Sequence, residues 1–298
     1  MYSSMRRDGK PVAGKSLSSK LEVEHRLTQL SDAEKAKTCG HESRRTYLEM
    51  HKARFADILH LCQRQVPDAS ARVLDIGRSE LTAYLLNFYQ NIHTLGLDPS
   101  LDNGGHREVS KMDTVPHLTF DLLNSHTISS WPECGSFELI VFSEVIEHLC
   151  IAPEFVLGAL SSLLTDKGIL ICTTPNAADI SKRLRLAFGC NPYERLRLYS
   201  TNPGHIREYT KRELREIAHS VGLRCTSHSY LNWIQDRDGS RIKTSIMKLL
   251  RVYPPFRSFQ TCVLTKEQSV LPAHDSRVPL FMEPYRGNVE QNLPQPGS

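Results

Sequence analysis

Glu144, Glu147 and His148 place two carboxylates and an imidazole within one short run, Glu144-Val145-Ile146-Glu147-His148. On a helix these three stand at i, i+3 and i+4 and share one face. Carboxylates held that close repel one another unless a proton or a cation is shared among them. The set suits general acid–base work, with the histidine as base, or the histidine simply orients the loop. The run follows directly on Phe137-Glu138-Leu139-Ile140-Val141-Phe142-Ser143, an apolar segment of strand length. Its carboxyl end is where ligands bind in open α/β sheets.

A second ligand-bearing stretch precedes it. Val73, Leu74 and Ile76 form a nearly continuous aliphatic run, as in a central parallel strand covered on both faces, and the run stops at Gly77. Glycine turns sharply and lets a ligand approach bare backbone. Leu81, Tyr84, Leu85 and Phe88 then follow at helical spacing, and Ile92–Asp98 reads as the next strand. Asp98 lies about 20 residues past the glycine, where Rossmann-like sites place the acid that accepts from ribose hydroxyls.

Val73-Leu74-Asp75-Ile76-Gly77 resembles the first motif of the class I S-adenosylmethionine-dependent methyltransferases, which continues with two further glycines. Ser79 and Leu81 stand at those two positions here. A nicotinamide-dependent oxidoreductase would need the full glycine fingerprint, so a dinucleotide site is disfavoured. The resemblance implies an α/β fold: a Rossmann-like, seven-stranded, mostly parallel sheet with the last strand antiparallel and helices on both faces. It also implies a cofactor site, with the Gly77 backbone under the methionine end and Asp75 close by. Asp98 takes the ribose hydroxyls, Asp121 reaches toward adenine unless it caps the next element, and Ser143 completes the set.

The remaining elements follow in order. The chain has 298 residues, 40% of them hydrophobic, enough for one substantial α/β core with tails. The net charge of +4 permits anionic partners without requiring nucleic acid. Eight scattered cysteines, at 39, 62, 134, 150, 172, 190, 225 and 262, make no CxxC pair and suit reduced thiols. No apolar run has the length of a membrane span and no secretion signal opens the chain, so the expected location is cytoplasmic.

Residues 1–20 read as disordered, Leu21–Thr38 as a charged helix, and Glu42–Val66 as a helix with Phe55, Ile58, Leu59 and Cys62 on one side. The methyltransferase domain is placed at 41–266, after a tail and charged helix at 1–40 and before a flexible tail at 267–298. Leu101–Val115 is loop with a turn at Asn103-Gly104-Gly105, and His117–Leu122 is the third strand. Pro153–Leu164 is a covering helix, Asp166-Lys167-Gly168 a turn, and Ile169–Thr174 the fifth strand. A basic, apolar insertion over 177–210 follows, either a lid or substrate pocket or an exposed helical hairpin. Thr210 and Glu213 have capping-box spacing at the start of a helix that Gly222 ends. Leu223–Trp233 and Ser258–Thr265 are the last two strands. Between them Arg241–Val252 is a basic amphipathic helix that covers the sheet or touches an anionic membrane surface.

Two subgroup resemblances narrow the function. Glu144, Glu147 and His148, with His205 from beyond the fifth strand, resemble the divalent-metal constellation of the small-RNA 3′-terminal ribose 2′-O-methyltransferases, and a related pattern occurs in the ubiquinone-pathway O-methyltransferases. Such donors suit Mg²⁺, Mn²⁺ or Zn²⁺. Asn202–Thr210, with Asn191-Pro192-Tyr193, resembles a group of bacterial-type methyltransferases that act on small metabolites, glycans or lipid-linked intermediates. The implied activity is O-methylation of an acceptor of that kind, at a site formed by Glu144, Glu147, His148 and His205. The alternatives are a metal-assisted RNA ribose 2′-O-methyltransferase and a non-catalytic cofactor-binding scaffold. RNA fits less well because no aromatic stacking platform is evident.

Overall fold

The computed structural model describes residues 42–98, 114–198, 204–233 and 241–267, with positions 22, 23, 25 and 27–29 of an earlier helical stretch. The segment 1–20, the turn Asn103-Gly104-Gly105 and the tail beyond Glu267 lie outside the described residues.

Seven strands form one sheet: β1 (Arg72–Ile76), β2 (Asn91–Gly96), β3 (His117–Thr119), β4 (Phe137–Ser143), β5 (Leu164–Pro175), β6 (Leu223–Leu231) and β7 (Phe259–Lys266). Their order is β3-β2-β1-β4-β5-β7-β6. β1 to β5 run parallel, and β7 inserts antiparallel between β5 and β6. The expected Rossmann-like architecture is therefore present. The strand order reverses at β1 and β4, and such a switch point opens a crevice at the carboxyl ends of the two strands.

Among the described residues from 42 onward there are six helices: α1 (Glu42–Gln65), α2 (Glu80–Leu85), α3 (Pro153–Ser162), α4 (Ile180–Ala187), α5 (Lys211–Ser220) and α6 (Arg241–Leu250). Alternation along the strands divides the core in two. Val73, Leu139, Val141 and Ile171 face α1 and α2, where Phe55, Ile58, Leu59 and Cys62 of α1 are all buried. Leu74, Ile76, Ile140, Phe142 and Leu170 face the other way, onto α3 and α5. Each fully buried side chain of this size contributes about 1.5–3 kcal/mol. Val23 and Leu27 also belong to the α1–α2 layer, so the early helical stretch adds to the core of the domain.

Several expected boundaries shift. β3 ends at Thr119, and Asp121 caps a 3₁₀ turn, Leu122–His126, by accepting from the Leu123 N–H at 2.9 Å. The turn Asp166-Lys167-Gly168 lies inside β5: Phe137 pairs with Leu164, but Leu139 pairs with Ile169, so three residues bulge from the ladder. The basic insertion holds one helix, α4, capped by Asp179, and its second arm, Arg195-Leu196-Arg197-Leu198, is not helical. Thr210 and Glu213 form the expected capping box, and Gly222 leaves α5 at φ +73°. No helix among the described residues is long and apolar enough to cross a membrane.

Candidate active site

The carboxyl ends of β3, β2, β1 and β4 stand in a row, and the expected cofactor residues follow them. Gly77 leaves β1 at φ +90°, with its N–H donated to the Leu95 carbonyl at 2.7 Å. A Cβ built on Gly77 would meet no atom within 4 Å, so the turn opens onto free space. Asp98 follows β2 and is half-buried. Arg78, which stands where the glycine loop would continue, reaches sideways to the Val115 carbonyl at 3.4 Å. Glu80 turns inward in the first turn of α2 at 5% exposure.

Asp75 sits elsewhere than expected. It shares the parity of Val73, so the pleat points it under α2, where it is 2% exposed. Its carboxyl accepts from Thr82 Oγ1 at 2.6 Å, and Thr82 in turn accepts from the Ser79 N–H at 3.0 Å. Burial pushes the Asp75 carboxyl up to about 7, against the Thr82 bond. Asp75 therefore fastens the start of α2 to β1 and offers no oxygen to the crevice. Asp121 caps the 3₁₀ turn through Oδ1, and Ser143 exchanges a hydrogen bond with Thr173 Oγ1 at 2.9 Å.

The Glu-x-x-Glu-His run is not an α-helix. Glu144 turns the chain with φ +54°, and Ile146–His148 forms a single 3₁₀ turn. The left-handed conformation costs a non-glycine residue about 1–2 kcal/mol, and two contacts hold it. The Glu144 N–H donates to the Thr173 carbonyl at 2.9 Å, and Thr173 Oγ1 donates to its carboxyl at 2.9 Å. Glu144 then faces Arg54 of α1, 3.8 Å away. The expected helical face shared by Glu144, Glu147 and His148 is therefore replaced by a split. Glu144 turns toward α1, while Glu147 and His148 turn toward the insertion.

Glu147 is 1% exposed and accepts from Thr174 Oγ1 at 3.0 Å. Burial holds its carboxyl well above the ordinary range, and the Glu144 charge adds to the shift. Glu144 is raised by burial too, against Arg54 and Thr173. The carbonyl of Glu147 accepts from the Ile206 and Arg207 N–H groups at 2.7 and 3.2 Å, which fixes the end of the insertion over the turn. His148 Nδ1 lies 2.9 Å from the Gly204 carbonyl. A carbonyl only accepts, so Nδ1 carries the proton and Nε2 is left as the basic nitrogen, 3.9 Å from Glu147 Oε1. Burial lowers the His148 pKa against the Gly204 bond, which favours the neutral ring.

His205 completes the group, its ring 5.0 Å from that of His148. Its Nδ1 lies 3.1 Å from Glu208 Oε1, and Glu208 pairs with Lys182 of α4. Burial raises the Glu208 carboxyl, but His205 and Lys182 outweigh it and keep it ionised. Lys182 also reaches Asp179 at 3.1 Å and the Asn176 carbonyl at 2.9 Å. Glu147, His148 and His205 each present a donor atom within 4.8 Å of the others, and Glu144 stands outside that group. Sequence reasoning missed Arg54, Thr173, Thr174, Glu208 and Lys182. Glu208 had a signal in the Asn202–Thr210 run, and Lys182 in the basic insertion.

A methyltransferase domain model matches residues 48–228, more than half of the chain. The chain belongs to that methyltransferase family. Two solved structures of low identity share the fold of this methyltransferase. One is an S-adenosylmethionine-dependent methyltransferase from Clostridium acetobutylicum, 12% identical, with a TM-score of 0.51 over 77% of this chain and all of that one. The other is a chain from the complex of the Haloferax volcanii Trm112 methyltransferase activator with a methyltransferase, 13% identical, with a TM-score of 0.51 over 76% of this chain and 94% of that one. No curated protein matches the chain. The enzyme class stands with the family, and the class I architecture with the fold.

Proposed function

We propose that this methyltransferase transfers the methyl group of S-adenosylmethionine to a hydroxyl oxygen of a small molecule, glycan or lipid-linked acceptor. The observation that carries the reading is the tautomer of His148. Its Nδ1–H is committed to the Gly204 carbonyl, so a neutral Nε2 is offered beside the switch-point crevice. A neutral amine already has a lone pair to attack with, whereas a hydroxyl gains from a positioned base. When bound, S-adenosylmethionine would supply an electrophilic methyl, the sulfur keeping the S–CH₃ electron pair as the acceptor oxygen takes the carbon. His148 Nε2 would receive the hydroxyl proton. Gly77 and Asp98 are the residues assigned to the donor, and the open space at Gly77 supports that assignment.

A second reading uses the same side chains. Glu147, His148 and His205 offer one carboxylate and two imidazoles. Each imidazole has its other nitrogen on a carbonyl or carboxylate, the outer arrangement that metal-bound histidines use. When bound, a divalent cation at such donors lowers the pKa of a coordinated hydroxyl.

The test is transfer of labelled methyl into a cell extract fractionated into RNA, protein, lipid and small molecules, with the labelled product characterised. Label on oxygen in the lipid or small-molecule fraction is expected. Label in RNA or protein, or on nitrogen, overturns the reading.

A further inference from the structure

Apolar exposure is concentrated in two segments. Among the described residues, the large apolar side chains more than half exposed are Leu186, Phe188, Leu196, Leu198, Ile246, Leu249, Val252 and Tyr253. All of them fall in α4 with the arm after it, or in α6 with the turn after it. Phe188 is 82% exposed and Leu249 73%. α6 was expected to lay its apolar face on the sheet or on an anionic membrane; among its described side chains Ile246 and Leu249 face outward, away from the sheet, and Met247 is buried.

The two segments meet. The Arg183 guanidinium of α4 lies 5.5 Å from the Phe256 ring centre, and Phe256 packs edge-on against Tyr253 at 5.0 Å. Asn176, just before α4, donates to the carbonyls of Pro255 and Arg257 at 3.0 and 2.8 Å. α4, the Pro254–Phe256 turn and the end of α6 therefore form one continuous surface.

That surface is basic. Residues 180–198 contribute Arg183, Arg185 and Arg195; Glu194 is paired with Arg197 at 3.0 Å, and Lys182 is turned inward onto Asp179 and Glu208. Residues 245–266 carry Lys248, Arg251, Arg257 and Lys266 and no acid. A cleft of about 520 Å³ opens beside the surface, lined by Arg183, Lys211, Arg215, Tyr230 and Pro255. Its one acid, Glu216, is paired with Arg212 at 2.7 Å.

We propose that α4, the Pro254–Phe256 turn and α6 dock on a membrane rich in anionic phospholipid, with a lipid phosphate in the adjoining cleft. Apolar side chains set among cations, with the nearby acids Glu194 and Glu216 already paired to arginines, are what an anionic bilayer interface selects. The side chains enter the headgroup boundary and the cations stay at phosphate level. A neutral apolar partner would leave the cations unmatched, and a free phosphate would leave the apolar side chains in water. The proposal is independent of the acceptor, because docking is measured without cofactor or turnover.

The experiment is sedimentation of the full chain with phosphatidylcholine vesicles, with and without phosphatidylglycerol. Binding is expected to rise by roughly a hundredfold with the anionic lipid and to weaken in high salt. The double variant Ile246→Ser/Leu249→Ser is expected to lose about tenfold or more. Phe188→Ser tests α4 in the same way, and Lys211→Ala/Arg215→Ala removes the preference for phosphatidylglycerol. These positions are exposed or half-exposed, and circular dichroism checks that the variants fold. Equal binding to both vesicles, or serine variants that bind like wild type, overturns the proposal. So does inorganic phosphate displacing the protein from vesicles where chloride of equal ionic strength does not, RNA binding untouched by the serine variants, or a lipid-free dimer that those variants dissolve.

Discussion

The His148 Nδ1 lies 2.9 Å from the carbonyl of Gly204, a residue 56 positions later in the chain. That contact sets the tautomer of the imidazole, and it exists because the insertion returns to the carboxyl edge of the sheet. The Ile206 and Arg207 N–H groups seal the return on the Glu147 carbonyl. Base and insertion are therefore one unit, and the insertion brings His205 with it.

His148→Asn keeps a donor for the Gly204 carbonyl and removes the basic nitrogen. Turnover is expected to fall by about 10²–10⁴-fold, the usual share of a positioned base, with S-adenosylmethionine affinity unchanged. Single-turnover methyl transfer alongside calorimetry separates the two effects, and a fall in cofactor affinity of the same size would move His148 out of the acceptor site.

The metal reading discriminates between the two glutamates. Glu147 belongs to the donor group and Glu144 does not, being held by Thr173 and Arg54. Glu147→Gln is expected to weaken Mn²⁺ or Zn²⁺ binding by about 10–100-fold or more, while Glu144→Gln leaves it near wild type. Titration of the chelated protein checks both variants. Equal losses would restore Glu144 to the set.

Asp75 makes stability depend on pH. In the folded chain its carboxyl holds a proton up to about 7, whereas in the unfolded chain it ionises near 3.8. The folded state thus binds the extra proton across that window, so stability is full below it and falls as pH rises through it, by on the order of 4 kcal/mol in all. Asp75→Asn keeps an acceptor for Thr82 and removes the titration. Urea unfolding at about pH 5 and about pH 8 should show a steeper loss in wild type than in the variant. Parallel losses would reject the assignment.

Much of the fold was legible because its signals are local. The apolar runs at β1, β4 and β5, the Thr210–Glu213 box and the glycine after α5 depend only on nearby residues. The site was legible in composition and less so in arrangement. Glu144 occupies a left-handed turn with no glycine or asparagine to announce it, so helical spacing gave a shared face that does not form. Arg54 comes from a helix 90 positions before Glu144, and Lys182 reaches Glu208 through a tertiary fold of the insertion. Asp75 shows the limit of a motif: the carboxylate is where the pattern places it in the chain, but the pleat turns it into the core. Asp121 follows its capping alternative, which a single Asp before a turn equally allows.

The central claim is that the crevice at the ends of β1 and β2 holds S-adenosylmethionine beside His148, and calorimetry with that ligand tests it most directly. Wild type and His148→Asn are expected to bind alike. Asp98→Ala, which removes the carboxylate proposed for the ribose hydroxyls, is expected to lose roughly a hundredfold or more. No heat with wild type, or an affinity unchanged in Asp98→Ala, would contradict the account.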